Sequence, residues 1–173
     1  MVSHIGTGRP SSGAVFRGFE VNSMGLFLST TINKIDSKGR VSIPGPFRAA
    51  LGEQISNGVI LMKSPLHAAL EGFAPTAMDD IAARLDQLPM FSSDQDDIAA
   101  ATMAEATLIN FDGEGRVSIP ADLLAHAGIK GEIAFVGMGR KFQLWEPKAW
   151  RKRQGEATKA MRGKGLNLPK VDS

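Results

Sequence analysis

An aspartate followed four positions later by an arginine is the pairing in this sequence best suited to chemistry, and it occurs twice. The first copy spans Asp36 to Pro44 and the second spans Asp112 to Pro120, and both read D-x-x-G-R-V-S-I-P. Such a carboxylate can accept hydrogen bonds from backbone N–H groups two residues ahead, and a guanidinium can pair with a carboxylate or with a phosphate. The pattern predicts a braced turn or an anion-binding turn, and the residues alone leave both interpretations open.

Each copy also has the local pattern of a tight turn that leads into a strand. The glycine before the arginine can adopt a positive φ, the Val-Ser-Ile run alternates with the period of a half-buried strand, and the proline ends it. An exact repeat of this kind indicates an internal duplication. Five residues are therefore predicted to brace the turns or to contact another subunit: Asp36, Gly39, Asp112, Gly115 and Arg116.

The two copies differ in charge. Lys34, Lys38 and Arg40 cluster on or beside the first turn, whereas the second copy has Asn110 and Glu114 where the first has its lysines. Cations on a turn can hold the phosphate backbone of a nucleic acid. We therefore predict that Lys34, Lys38 and Arg40 bind DNA and that the second turn serves bracing or subunit contact.

Signatures of catalysis and of metal binding are missing from the sequence. There are no cysteines, and no histidine has a histidine or cysteine partner at the spacing of a metal site. The acidic group at Asp94, Asp96 and Asp97 could be a metal or acid/base cluster, but a solvated helix start is the favoured interpretation. We predict that the protein is not an enzyme, and that it has no catalytic residues, no metal site and no cofactor.

Composition is ordinary for a globular protein of 173 residues, with 43% hydrophobic residues and a net charge of +2. The charge is unevenly distributed, because acidic residues are concentrated between the two repeats and basic residues in the C-terminal tail. The basic tail is expected to add nonspecific attraction to DNA. No apolar run is long enough to span a membrane and residues 1–23 lack the apolar core of a signal peptide, so a cytoplasmic protein is expected.

The duplication suggests how the chain is divided. Each repeat is too small to bury enough surface to be stable alone, so the two are expected to share one core. The predicted segments are a flexible N-terminal extension (1–23), a first repeat (24–75), an acidic helical connection (76–104), a second repeat (105–150) and a basic C-terminal helix and tail (151–173). The connection carries an apolar stripe at helical spacing, which we expect to be covered mainly within the chain: Met78, Ile81, Leu85 and Leu88.

The paired motifs resemble those of the MraZ family, as do three longer segments in the same order along the chain. These are STTINKIDSKGRVSIPGPFRAAL, INFDGEGRVSIPADLLAHAGI and VGMGRKFQLWEPKAW, and the resemblance covers about Met24 to Trp150. It implies an α+β, mainly β fold. In that fold, tandem AbrB-like swapped-hairpin repeats form an intertwined, pseudo-dimeric barrel with flanking helices.

The resemblance also implies a function. Members of the family bind short direct repeats near promoters as closed rings, and they regulate the division and cell-wall gene cluster, so a nucleoid-associated DNA-binding homo-oligomer is expected. A ring-forming scaffold without DNA binding is the alternative. The sequence departs from the family pattern in its extra leader, in Leu28 where some relatives carry a basic residue, and in Glu114, which makes a direct DNA contact at the second turn doubtful.

Overall fold

The computed structural model describes residues 25–172, so the predicted extension over residues 1–23 lies outside the described part. The described strands are β1 (Thr30–Lys34), β2 (Arg40–Ser42), β3 (Val59–Lys63), β4 (Leu70–Phe73), β5 (Thr107–Ile109), β6 (Arg116–Ser118), β7 (Glu132–Gly137) and β8 (Phe142–Trp145). The α-helices are α1 (Gly45–Leu51), α2 (Pro75–Leu85), α3 (Ser93–Ala101), α4 (Ala121–His126) and α5 (Pro147–Lys164). Short 3-10 turns over Gly52–Asn57 and Met103–Glu105 complete the regular structure of this range.

The strands of the two repeats are interleaved. Six strands form an antiparallel sheet in the order β1-β7-β8-β4-β3-β5, and β2 pairs with β6 in a separate two-stranded ribbon. The first strand of each repeat therefore pairs with a strand of the other repeat, since β1 lies beside β7 and β5 lies beside β3. Neither repeat has a complete sheet of its own.

Equivalent strands of the two repeats meet at the centre of the molecule. In the ribbon Val41 lies opposite Val117, and in the large sheet Glu71 lies opposite Gln143. An antiparallel pair of equivalent strands is the arrangement that a two-fold axis produces. The chain therefore has approximate internal two-fold symmetry. The axis passes between Val41 and Val117 in the ribbon and between Glu71 and Gln143 in the large sheet.

The main core lies between the large sheet, the ribbon and the short helices α1 and α4. Val41 and Val117 are each 1% exposed within it. Its largest side chains are four buried phenylalanines whose rings meet edge-on or tilted at centroid distances of 4.9–6.1 Å: Phe27, Phe47, Phe135 and Phe142. The core thus draws on both repeats, as the small size of each repeat predicted.

A smaller apolar cluster lies on the opposite face of the large sheet. Ala134 and Val136 of β7 point to this face, where Trp145 packs against Trp150 of α5 with ring centroids 5.7 Å apart. Burial of the two indole rings attaches the start of α5 to the sheet.

The prediction of an α+β fold is confirmed in its coarse form, because an antiparallel sheet is flanked by helices. No closed barrel is found within residues 25–172, where β1 and β5 form the two edges of the six-stranded sheet. The four residues of the apolar stripe are half-buried within the chain, and the prediction that it is covered mainly internally stays a prediction. α2 contacts α3 and the 3-10 turn over Gly52–Asn57, and its Ala77 and Ile81 line a cleft together with Phe73 of β4.

Candidate nucleic-acid interface

The first turn is organised by the side chain of Asp36. Its Oδ1 accepts the backbone N–H groups of Lys38 and Arg40, each at 2.9 Å, and its Oδ2 accepts the Nε–H of Arg40 at 2.7 Å. The backbone closes the same loop, because the N–H of Gly39 donates to the carbonyl of Asp36 at 3.0 Å. One carboxylate therefore fixes both the path of the turn and the position of its arginine.

The second turn repeats this geometry with an additional acid. Asp112 Oδ1 accepts the N–H groups of Glu114 (2.8 Å) and Arg116 (2.9 Å), and Oδ2 accepts Arg116 Nε–H at 2.9 Å. The guanidinium of Arg116 also pairs through Nη2 with Glu114 at 3.3 Å. Arg116 thus has two carboxylate partners, whereas within the described residues Arg40 has one.

These contacts shift the ionisation of the turn residues. The backbone N–H of Arg40 is the largest cause that holds the pKa of Asp36 below its ordinary value, and its guanidinium and the N–H of Lys38 add to it. The N–H of Arg116 lowers the pKa of Asp112 in the same way. The hydrogen bond that Arg116 donates to Asp112 raises the pKa of Arg116. Both carboxylates are therefore stabilised in their charged form.

Each turn also docks on the strand end of the other repeat. The carbonyl of Gly39 accepts the N–H of Ile119 at 2.9 Å, and the carbonyl of Gly115 accepts the N–H of Ile43 at 3.4 Å. Gly39 has a φ of +79°, and a Cβ there would lie 2.6 Å from the carbonyl oxygen of Ile119. Glycine is thus required for both the turn and the close approach.

The structure brings the three predicted DNA-binding cations to one region of the surface. Lys34 is the last residue of β1, Lys38 lies in the turn and Arg40 begins β2, with both lysines exposed. The Arg40 side chain is 39% exposed although it is held by Asp36. Lys34 lies opposite Glu132 in the sheet register. Cations on and beside the first turn are therefore presented to solvent, and the turn itself is held by hydrogen bonds to Asp36.

A further cation, Arg48 of α1, was missed by the analysis of the sequence. Its side chain lies over the second turn, with Nη1 at 2.8 Å from where a Cβ of Gly115 would be. The corresponding neighbour of Gly39 at the first turn is Leu124 of α4. Aligning the helices that follow each motif places Arg48 and Leu124 at equivalent positions, and this alignment could have revealed it. The second turn is thus flanked by two guanidinium groups, those of Arg116 and Arg48.

Other kinds of site are not supported by the described part of the chain. Residues 25–172 contain no group of three or more histidine, aspartate or glutamate side chains that could hold a metal ion. Over the same range, no helix combines the length and the apolar character needed to cross a bilayer.

Comparison with known proteins agrees with the repeated geometry. The family model described as "MraZ protein, putative antitoxin-like" matches residues 26–100 and 102–164, which is one match for each repeat. Proteins named "Transcriptional regulator MraZ" from Gluconobacter oxydans and Gluconacetobacter diazotrophicus are 44% and 43% identical to this chain, covering 78% and 84% of it and 84% and 93% of their own lengths. A protein of the same name from Pelagibacter ubique is 42% identical over 73% of this chain and 82% of its own. With two motif turns built alike and both repeats matched, the chain belongs to the MraZ family.

Proposed function

We propose that this protein is a sequence-specific DNA-binding transcriptional regulator that binds promoter-proximal direct repeats as an oligomer and acts on the division and cell-wall gene cluster. The observation that carries the proposal is the first turn, where Lys34, Lys38 and Arg40 stand exposed on a loop held by Asp36. The names of its relatives support the regulatory role. The protein acts without catalysis and in the cytoplasm, associated with the nucleoid.

The geometry of the turn suits a phosphate backbone. Asp36 holds the Nε side of the Arg40 guanidinium, and a phosphate can take hydrogen bonds from the Nη side. Lys38 and Lys34 add two strongly hydrated charges at either side. Because the loop is already ordered, little conformational entropy is lost when DNA binds.

The interleaved strands support the proposal that the repeats are swapped hairpins of the AbrB type that form a pseudo-dimer. β1 crosses to the second repeat and β5 crosses to the first. In the assembly that we propose, a ring of such units presents the same first turn to successive direct repeats. Contacts that are weak singly then add through effective concentration.

The alternative is a ring-forming scaffold without DNA binding. The second turn is the feature that suits it, because Arg116 is neutralised by Asp112 and Glu114 and such a surface suits contact with another protein. We favour the regulator because the first turn lacks an equivalent of Glu114 and carries Lys38 in its place.

The experiment that tests the proposal measures binding to DNA from upstream of the chain's own gene. Fluorescence anisotropy would compare this duplex with a shuffled duplex of equal length and composition over a range of salt concentrations. We expect a preference of about 10³-fold or more for the upstream duplex, together with a steep salt dependence. An intact assembly that binds neither duplex would instead support the scaffold.

A further inference from the structure

We propose that the exposed face of α5 is a second, sequence-independent contact surface for the phosphate backbone of duplex DNA, continuous with the first turn. The inference deepens the proposed function and rests on it. It starts from the distribution of cations on this helix. Seven of the residues in Pro147–Lys164 are basic: Lys148, Arg151, Lys152, Arg153, Lys159, Arg162 and Lys164.

Five of these cations lie on one side of the helix. At 3.6 residues per turn they fall within an arc of about 100°: Lys148, Arg151, Lys152, Lys159 and Arg162. All five are exposed. We call this set the α5 stripe. From its first to its last residue it rises about 21 Å, roughly the axial length of six base pairs.

The opposite side of α5 faces the protein. The half-buried residues of the helix lie about opposite the stripe, and they are Ala149, Trp150, Arg153 and Ala157. Ala149 and Trp150 pack on the cluster around Trp145. The docking of the helix therefore turns the stripe away from the sheet and towards solvent.

The stripe is only partly compensated within the chain, where the charges of Lys148 and Arg151 interact with Glu146. None of its cations forms an ion pair with another described residue. Lys148 and Lys152, like Lys159 and Arg162, are like-charged neighbours at helical spacing, which destabilises a helix. Glu156 is the acid within the helix; it lies about 40° outside the arc of the stripe and one turn from Lys152 and Lys159, so it offsets part of this cost. An arrangement that costs helix stability in the free protein fits a polyanion bound from outside.

The stripe begins at the end of the sheet that carries the first turn. Lys34 is on the same sheet face as Ala134, because its register partner is Glu132 and alternate residues of β7 share a face. That is the face on which α5 docks. The N–H of Ile35, just before the turn, donates to the carbonyl of Gly131 at 3.1 Å.

A cleft connects this end of the sheet with the helix. It is lined by residues that precede β7 and by the start of α5: Gly128, Lys130, Gly131, Glu132, Glu146 and Pro147. Lys130 is exposed there, and it shares the cleft with Glu132, the register partner of Lys34. Of the two acids, Glu146 is occupied in capping α5, since it accepts the N–H groups of Lys148 and Ala149. The cleft therefore joins the strand end opposite Lys34 to the start of α5, with Lys130 as the cation in its lining.

The test compares two double variants, each of which removes two positive charges. One removes them from the α5 stripe and the other from positions outside it. Lys159→Gln with Arg162→Gln alters the stripe, and Lys164→Gln with Lys170→Gln removes two exposed cations that lie off it. Neither pair touches the core, and circular dichroism would check that helix content is unchanged. Anisotropy with the upstream duplex and with the shuffled duplex would give the affinity and its dependence on salt.

We expect the stripe variant to lose affinity for both duplexes by the same factor. The slope of log affinity against log salt concentration should become smaller by about 2. The control variant should change this slope by less than half as much. Equal effects of the two variants would overturn the proposal in favour of simple net charge. An unchanged slope with a smaller assembly in light scattering would show that the stripe contacts a second copy of the chain instead. If the wild-type protein binds both duplexes equally, the proposed function fails, while the slope comparison still tests the stripe.

Discussion

One aspartate organises each turn by binding the arginine of its motif. The two arginines differ in the number of carboxylates with which they form ion pairs. Arg40 pairs with Asp36, whereas Arg116 pairs with both Asp112 and Glu114. Two motifs that share the pattern D-x-x-G-R-V-S-I-P are therefore not electrostatically equivalent. The difference comes from the third position of the motif, which is Lys38 in the first copy and Glu114 in the second.

Replacing Arg40 by alanine is expected to weaken DNA binding much more than replacing Arg116. Arg40 is the more exposed of the two and has one carboxylate to release, so more of its charge is available to a phosphate. Arg40→Ala should also reduce the salt slope by about 1, and Arg116→Ala by much less. Anisotropy titrations over several salt concentrations would measure both. Equal losses in two variants of intact circular dichroism and assembly size would show that the second turn contacts DNA as well.

The two turn aspartates should make stability depend on acid pH. The pKa of each is lowered in the folded protein, first by the N–H of its arginine, so each contributes stability above the unfolded value of about 3.9, and this contribution is lost as the pH falls through the lower folded pKa. Urea unfolding between pH 6 and pH 3 should therefore show a falling free energy of unfolding. The variant Asp36→Asn with Asp112→Asn should be less stable at pH 6 and should have a flatter profile. A profile as steep as that of the wild type would assign the acid sensitivity to other carboxylates.

Among the secondary-structure elements, the ribbon of β2 and β6 joins the two motif turns to the opposite repeat. Its three register pairs place Val41 against Val117 in the main core. The turn glycines extend the contact, because their carbonyls accept N–H groups from the strand ends of the other repeat. The presentation of the first turn therefore depends on the second repeat.

Gly39→Ala should destabilise the protein more than the matched substitution Gly128→Ala. Both glycines have positive φ values, +79° and +63°, so both variants carry the strain of a left-handed alanine. Only at Gly39 would the new Cβ also lie 2.6 Å from a carbonyl oxygen, that of Ile119, whereas nothing lies within 4 Å at Gly128. We expect a loss of about 1–3 kcal/mol for the turn variant beyond that of the control. Urea denaturation would measure the difference, and equal losses would mean that the turn moves away from Ile119 at little cost.

The sequence predicts these elements well but not their pairing. Alternation and the flanking proline are local signals, so the strand that begins at Arg40 could be located from its own residues. The partner of β1 could not, because it lies in the other repeat and nothing in Thr30–Lys34 encodes the register with β7. The family resemblance implied swapped hairpins, but it did not specify which strands pair across the repeats. Arg48 was missed for a similar reason, since its role depends on α1 packing near the turn of the other repeat.

For the whole molecule, the shared core implies that neither repeat is an independent domain. A fragment ending at Ala104 would keep β1 without β7 and β3 without β5. The unpaired edges of these strands can form their hydrogen bonds only with a second copy of the fragment. The two copies would then pair as the two repeats do within the intact chain. We expect the separate repeats to be unfolded or dimeric, and mixing them to restore the native circular dichroism. A monomeric, cooperatively folded fragment in analytical ultracentrifugation would contradict this.

The exposed end of the α2–α3 hairpin is the feature from which we expect self-association. Met90 and Phe91 between the helices are 75% and 92% exposed, and Phe91 has a φ of +65°, which is unfavourable for a residue with a side chain. An apolar residue that is both exposed and strained is stabilised when a neighbouring subunit covers it.

Phe91→Gly removes the ring and relieves the strain together, so it should leave the free energy of unfolding of a subunit unchanged or higher while reducing the mass of the assembly. Light scattering at micromolar concentration would report several subunits for the wild type and fewer for this variant. Leu66→Ser is the control, because Leu66 is 79% exposed on a loop away from the hairpin and its loss should leave the assembly intact. If the wild type is a monomer that still binds a single DNA site, the oligomer is wrong and the DNA-binding proposal stands without it.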